Sequence, residues 1–106
     1  MDNLEKREYY SRLFDFYENL LTEKQRQYFS DYYFRDLSLA EIAGCYGVSR
    51  NAVYDQLNKT YKNLEKMERK LKLFVKYQER AKLYEQYQNT DNPELRDFIG
   101  KLRELE

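Results

Sequence analysis

Leu37–Leu64, LSLAEIAGCYGVSRNAVYDQLNKTYKNL, decides how the rest of the chain is read. Ser38 is followed three residues later by Glu41, the spacing of a capping box, in which each side chain satisfies a backbone N–H at a helix start. Leu37, just ahead of the cap, is in register to pack on Ile42 as a hydrophobic staple. Ser49 repeats the device for a second helix, with Val48 placed to staple onto Val53. Between the two lies Gly47, where a chain reversing after one helix needs positive φ at no steric cost. Ile42, Ala43, Tyr46, Val48, Val53 and Leu57 then close one interior between the helices. The pattern is a helix-turn-helix, with Ser38, Glu41, Ala43, Gly47, Val53 and Leu57 as its structural positions.

Toward the N-terminus, Leu4, Tyr10, Leu13, Phe14, Tyr17, Leu20 and Leu21 recur at helical spacing and predict a helix from near Asn3 to Leu20 or Leu21. Thr22 and Gln25 form another capping box, which starts a helix running through about Phe34. Tyr28, Phe29, Tyr32 and Tyr33 supply its apolar side, and Arg35-Asp36 links it to the central motif. Tyr32-Tyr33-Phe34 could form a stacking platform, but adjacent helical residues point in different directions, which favours a core role for at least two of them.

Toward the C-terminus, no glycine or proline occurs between Val48 and Asn92. Leu57, Tyr61, Leu64, Met67, Leu71, Phe74, Gln78 and Ala81 follow spacings of three and four, an a/d seam of about three heptads. The seam either packs back on the N-terminal helices or joins two copies of the chain, with Leu64, Met67, Leu71 and Phe74 as the dimer contacts. Asn92-Pro93 marks a turn and a helix start with proline first. The last helix sets Leu95, Phe98, Ile99, Leu102 and Leu105 on one face, and a helix this short needs something to dock on. The expected fold is an all-α helical bundle. Residues 1–64 form the N-terminal helices and helix-turn-helix; residues 65–106 form a long helix and a short one, in the same compact unit or as a dimerisation arm.

Composition narrows the function. Nineteen basic and nineteen acidic side chains cancel over 106 residues, which argues against a sequence-blind nucleic-acid binder. Twelve tyrosines, six phenylalanines and few leucines per helix predict a core built largely of aromatic rings, with hydroxyls reaching water. The chain has one cysteine, Cys45, and no histidine, so neither a disulfide framework nor a zinc site is expected. No apolar stretch approaches membrane-spanning length and the charged N-terminus resembles no signal peptide, so a cytoplasmic protein without membrane insertion is expected.

No enzyme constellation is present: there is no glycine-rich phosphate loop, no histidine base and no metal-ligand cluster. Pairs such as Glu65–Arg69 and Glu68–Lys72 are solvated i,i+4 partners. No catalysis, cofactor or metal is expected. The second helix of the motif is more informative. With Val53 and Leu57 inward, Ser49, Arg50, Asn51, Tyr54, Asp55, Asn58 and Lys59 face outward, and Lys62 extends the set by one turn. Arginine pairs with guanine and asparagine with adenine through two hydrogen bonds, and both stand at the helix N-terminus, where such helices meet base edges. Ser49 and the N–H groups beside it could hold a phosphate. Asp55 repels phosphate unless it accepts from a cytosine amine. Residues 63–88 carry seven basic against four acidic side chains, and Lys62, Lys66, Arg69, Lys76 and Arg80 fall along one side. That stripe is either a solvated face or a phosphate track on DNA or structured RNA.

Leu21–Lys66, LTEKQRQYFSDYYFRDLSLAEIAGCYGVSRNAVYDQLNKTYKNLEK, resembles region 4 of bacterial sigma factors, where a leading helix precedes a promoter-reading helix-turn-helix. Most of the chain, from NLEKREYYSRLFDFYENLLTEKQRQYF through LSLAEIAGCYGVSRNAVYDQLNKTYKNLEKMERKL, is more similar to the small YlxM-like proteins, encoded beside signal recognition particle genes in Gram-positive bacteria. The resemblance implies a regulatory helix-turn-helix protein near the particle's RNA or GTPases. It places Ser49, Arg50, Asn51, Tyr54, Asp55 and Asn58 at base-facing positions. Sigma-like recognition helices usually carry lysine or arginine where this chain has Tyr54 and Gln56. That difference opens a second reading, a protein-interaction adaptor with a degenerate helix-turn-helix that binds signal recognition particle proteins.

Overall fold

The computed structural model describes residues 4–106. It contains six α-helices and, among the described residues, no strand. Helix α1 spans Leu4–Tyr17 and runs into a 3-10 turn, Glu18–Leu20; α2 spans Glu23–Tyr33, α3 Leu39–Tyr46, α4 Arg50–Leu71, α5 Leu73–Tyr87 and α6 Pro93–Glu104. The expected start at Asn3 lies outside the described residues. The chain forms two compact units, Met1–Lys72 and Leu73–Glu106.

In the first unit, α1, α2 and α3 all pack against α4. The helix starts form as their side chains dictate. The Gln25 amide donates to Thr22 Oγ1 at 3.1 Å while the Thr22 amide donates to Gln25 Oε1 at 3.2 Å. Ser38 and Glu41 repeat the exchange at 3.0 and 2.9 Å. Each cap removes orphan donors that would otherwise cost the helix about 0.5–2 kcal/mol.

Aromatic rings fill much of the interior. Phe29 is sandwiched between Phe14, 4.4 Å away, and Tyr33, 4.0 Å away, both nearly parallel to it. Tyr61 of α4 approaches Phe29 edge-on at 6.3 Å and lies 4.5 Å from Tyr10 of α1. Leu13, Ile42, Val53 and Leu64 are fully enclosed. Burying such a side chain stabilises the fold by about 1.5–3 kcal/mol each. Two of the buried tyrosines have their hydroxyls bonded across helices: Tyr17 donates to Glu68 at 2.6 Å and Tyr33 to the Tyr61 oxygen at 3.2 Å. Arg7 closes the end of α2, donating to the Tyr32 carbonyl at 3.3 Å with its guanidinium 4.4 Å from the Tyr33 ring centre. A cation suits that end, where the carbonyls carry the negative pole of the helix.

Four expectations need correction. The seam from Leu57 to Ala81 does not run along one helix: α4 ends at Leu71, its capping residue Lys72 adopts φ 56° with its amide bonded to the Glu68 carbonyl, and α5 starts afresh at Leu73. No glycine marks the stop. Leu64, expected at a dimer seam, is 0% exposed and belongs to the monomer's own core, whereas Met67 and Phe74 are half-buried and Leu71 is exposed. Tyr46 and Val48 stay at the margin instead of closing the motif's interior, and Leu4 and Leu20 are exposed. Of Tyr32-Tyr33-Phe34, only Tyr33 is buried; Tyr32 is half-buried, and Phe34 is exposed although its ring contacts Phe14.

The second unit is thinly packed, with no buried residue in α5 or α6. The Asn92 side chain caps α6 through the amides of Glu94 and Leu95, ahead of Pro93 in the first position. Arg80 donates to Glu106 at 3.2 Å, and the Arg103 guanidinium lies 4.8 Å from the Tyr84 ring centre.

Candidate nucleic-acid interface

The helix-turn-helix is α3 and α4, joined by Gly47 at φ 66°, ψ 37°. That left-handed conformation would cost a residue with a Cβ about 1–2 kcal/mol. The Gly47 and Val48 amides both reach the Ala43 carbonyl, which closes α3 and aims the chain at the next cap. There Ser49 Oγ accepts from the Ala52 amide at 3.0 Å. No acidic side chain occupies the first turn of α4, so nothing negative competes for its N-terminal amides.

Helix α4 separates its residues by face. Val53, Leu57, Thr60 and Leu64 point into the core. Ser49, Arg50, Asn51, Tyr54, Asp55, Lys59 and Lys62 are exposed, and Asn58 is half-buried. All eight predicted contact residues thus remain reachable, but they do not form one surface. Tyr54, Asn58 and Lys62, each four residues after the last, line a cleft of about 430 Å³. Asn51, Asp55 and Lys59 form a second strip about 100° further around the helix, the angle set by one residue step at 3.6 residues per turn.

The cleft's remaining walls come from elsewhere in the chain: Lys6 and Tyr10 of α1, Tyr32 of α2, Leu39 of α3, and Tyr61 and Glu65 on α4 itself. No local motif announces these positions, because only packing brings α1, α2 and α4 together. Burial, and then the charge of Glu65, push the Tyr10 hydroxyl up to about 12, so it stays protonated. On the other side of the motif, the Tyr46 hydroxyl is pushed up to about 12, chiefly by its hydrogen bond to Asp31. The Ser38 backbone and side-chain hydrogen bonds hold Glu41 below the usual carboxylate range, which keeps it ionised.

Residues 4–104 match the family described as "Putative helix-turn-helix protein, YlxM / p13 like", UPF0122. The chain belongs to this family. A UPF0122 protein of Bacillus licheniformis is 50% identical over 105 residues, covering 97% of this chain and 98% of the relative. A Geobacillus member is 47% identical over 109 residues, covering 97% of this chain and 99% of its own length. The Staphylococcus epidermidis member is 45% identical over 96 residues, covering 89% and 87%. The family match takes in both helices of the motif as well as α5 and α6. Among the described residues, no group of acidic or cysteine side chains could hold a metal ion, and no helix is long and apolar enough to cross a membrane.

Proposed function

We propose that this UPF0122 protein is a non-enzymatic, cytoplasmic regulatory protein whose helix-turn-helix binds nucleic acid, DNA or structured RNA, through α4. The observation that carries the reading is the separation of faces on α4. The helix commits Val53, Leu57, Thr60 and Leu64 to the core while Ser49, Arg50 and Asn51 stay exposed at its capped N-terminus and Lys59 and Lys62 stay exposed further along it. Donors of that kind at that place suit base edges and phosphate oxygens. The similarity to YlxM-like proteins supports a role in the signal recognition particle pathway, and the particle's RNA is accordingly the first ligand to try.

A second reading is an adaptor that binds signal recognition particle proteins. It is favoured by the balanced charge, by Asp55 on the recognition face, and by the exposed Leu73, Val75, Leu83 and Phe98 of the second unit. Salt separates the two readings. If α4 meets phosphates, affinity for the RNA or for duplex DNA falls steeply between about 50 and 200 mM salt, and neutralising one contacting lysine flattens the log–log slope by about one. Arg50→Ala combined with Lys59→Ala is expected to weaken binding at least tenfold. Unchanged binding in that double variant removes α4 as the site, and salt-insensitive capture of a particle protein favours the adaptor.

A further inference from the structure

The cleft beside α4 is shaped for something a regular duplex cannot present. We propose that it receives a single unstacked nucleobase, with guanine preferred, from a bulge, loop or single strand; this rests on the reading that the α4 face meets nucleic acid.

Four features of the cleft converge on that ligand. First, it has aromatic walls. Tyr54 lines it with a ring 52% exposed, beside Tyr10 and Tyr61, whose rings pack on each other at 4.5 Å. Flat apolar faces of this kind stack on a base once it has left its own helix. Second, the volume of about 430 Å³ suits a small planar molecule and excludes a stacked base pair with its two backbones. Third, Lys6 from α1 and Lys62 from α4 supply positive charge from two separate elements, so phosphates on either side of an inserted base each meet a cation. Fourth, the polar groups are few and specific. Asn58 can both donate and accept, and the Glu65 carboxylate is an acceptor with room for more than one donor.

Glu65 sets the base preference. A carboxylate repels phosphate and the carbonyl-bearing edges of uracil and thymine. Guanine turns two adjacent donors, N1–H and the exocyclic amine, along its pairing edge, and a carboxylate accepts both. Adenine and cytosine offer only an amine there, flanked by an acceptor nitrogen that faces the negative charge. The pairing edge is exposed only when the base is unpaired, so an acceptor set in a cleft next to a recognition helix selects for a disrupted helix.

The test uses the full chain and one oligonucleotide duplex in four forms: fully paired, with one bulged guanine, with one bulged adenine, and with one bulged 2-aminopurine. Each is made as RNA and as DNA, so the nucleic acid that carries the base is identified in the same series. In fluorescence anisotropy at fixed salt, the bulged guanine is expected to tighten binding at least tenfold over the paired duplex, and adenine by threefold or less. Stacking of the 2-aminopurine on Tyr54 is expected to quench its emission, and Tyr54→Ala to abolish the quenching. Glu65→Gln removes the charge that faces the acceptor nitrogen of adenine and is expected to equalise guanine and adenine. Equal affinity for bulged and paired forms, with 2-aminopurine emission unchanged, overturns the inference while salt-sensitive binding of the paired duplex leaves the α4 reading standing. A gain of the same size for both purines overturns the assignment of Glu65. Failure to bind any form overturns both.

Discussion

The Tyr46 hydroxyl donates a 2.7 Å hydrogen bond to Oδ2 of Asp31, tying the end of α3 to the last turn of α2. Asp31 is only 5% exposed, and its other oxygen accepts from Arg35 at 3.0 Å. A buried carboxylate needs such partners, since an ionised group left unpaired away from water is costly. The helix-turn-helix is therefore fastened to the leading helix by a polar clasp as well as by its apolar face.

Removing the hydroxyl isolates that effect. Tyr46→Phe keeps the ring beside Tyr28 and takes away one of Asp31's two partners. Because Tyr46 is 39% exposed, water partly replaces the lost donor, and the expected loss is about 1 kcal/mol. Urea unfolding followed by circular dichroism checks it; an unchanged midpoint would show that the clasp is neutral.

Alkaline stability follows from the same hydroxyl and from Tyr10. Both are pushed from a usual value of 10.0 up to about 12 in the folded protein. A raised pKa means that the folded state holds its proton after the unfolded state has lost its own. The resulting stabilisation is complete below pH 10 and disappears as pH climbs to about 12. Unfolding free energies measured at intervals from pH 8 upward should be flat, then decline over that window, with a shallower decline in Tyr46→Phe. A steady loss beginning near neutrality would contradict this.

Two left-handed residues should respond oppositely to substitution. Gly47→Ala forces a Cβ into φ 66° and is expected to cost about 1–2 kcal/mol. Lys72 already bears that strain at φ 56°, and Lys72→Gly relieves it. Glycine's greater freedom in the unfolded chain offsets part of the gain, leaving a net stabilisation of roughly 0.5 kcal/mol. Thermal melting of the two variants gives the signs directly, and a destabilised Lys72→Gly would mean that the lysine's own contacts outweigh its backbone strain.

Self-association is tested away from the core. Leu64→Ala opens a cavity inside the first unit and is expected to cost 2–5 kcal/mol whether or not the protein dimerises. Leu71 is exposed and Phe74 half-buried, so Leu71→Asp with Phe74→Asp is expected to leave the first unit folded and to convert a dimer to a monomer in sedimentation. A wild-type chain that sediments as a monomer at high micromolar concentration removes self-association through the seam.

The order and most boundaries of the helices were written locally. Thr22 with Gln25, Ser38 with Glu41, Ser49 and Asn92 start helices through contacts spanning two or three residues, and Gly47 ends one through its own φ. Interactions of that range leave a readable spacing, and so does the inward stripe of Val53, Leu57 and Leu64. The break at Lys72 left none, because a lysine takes a left-handed conformation only where packing or a capping bond makes it worthwhile, and spacing alone could not assign Leu64 to the monomer's core instead of a partner. The cleft is likewise a product of tertiary structure: Lys6, Tyr10 and Tyr32 meet Tyr54, Asn58 and Glu65 only after three helices have packed. Separation along the chain carries no record of which side chains will share a wall, since that depends on crossing angles fixed by the whole aromatic core.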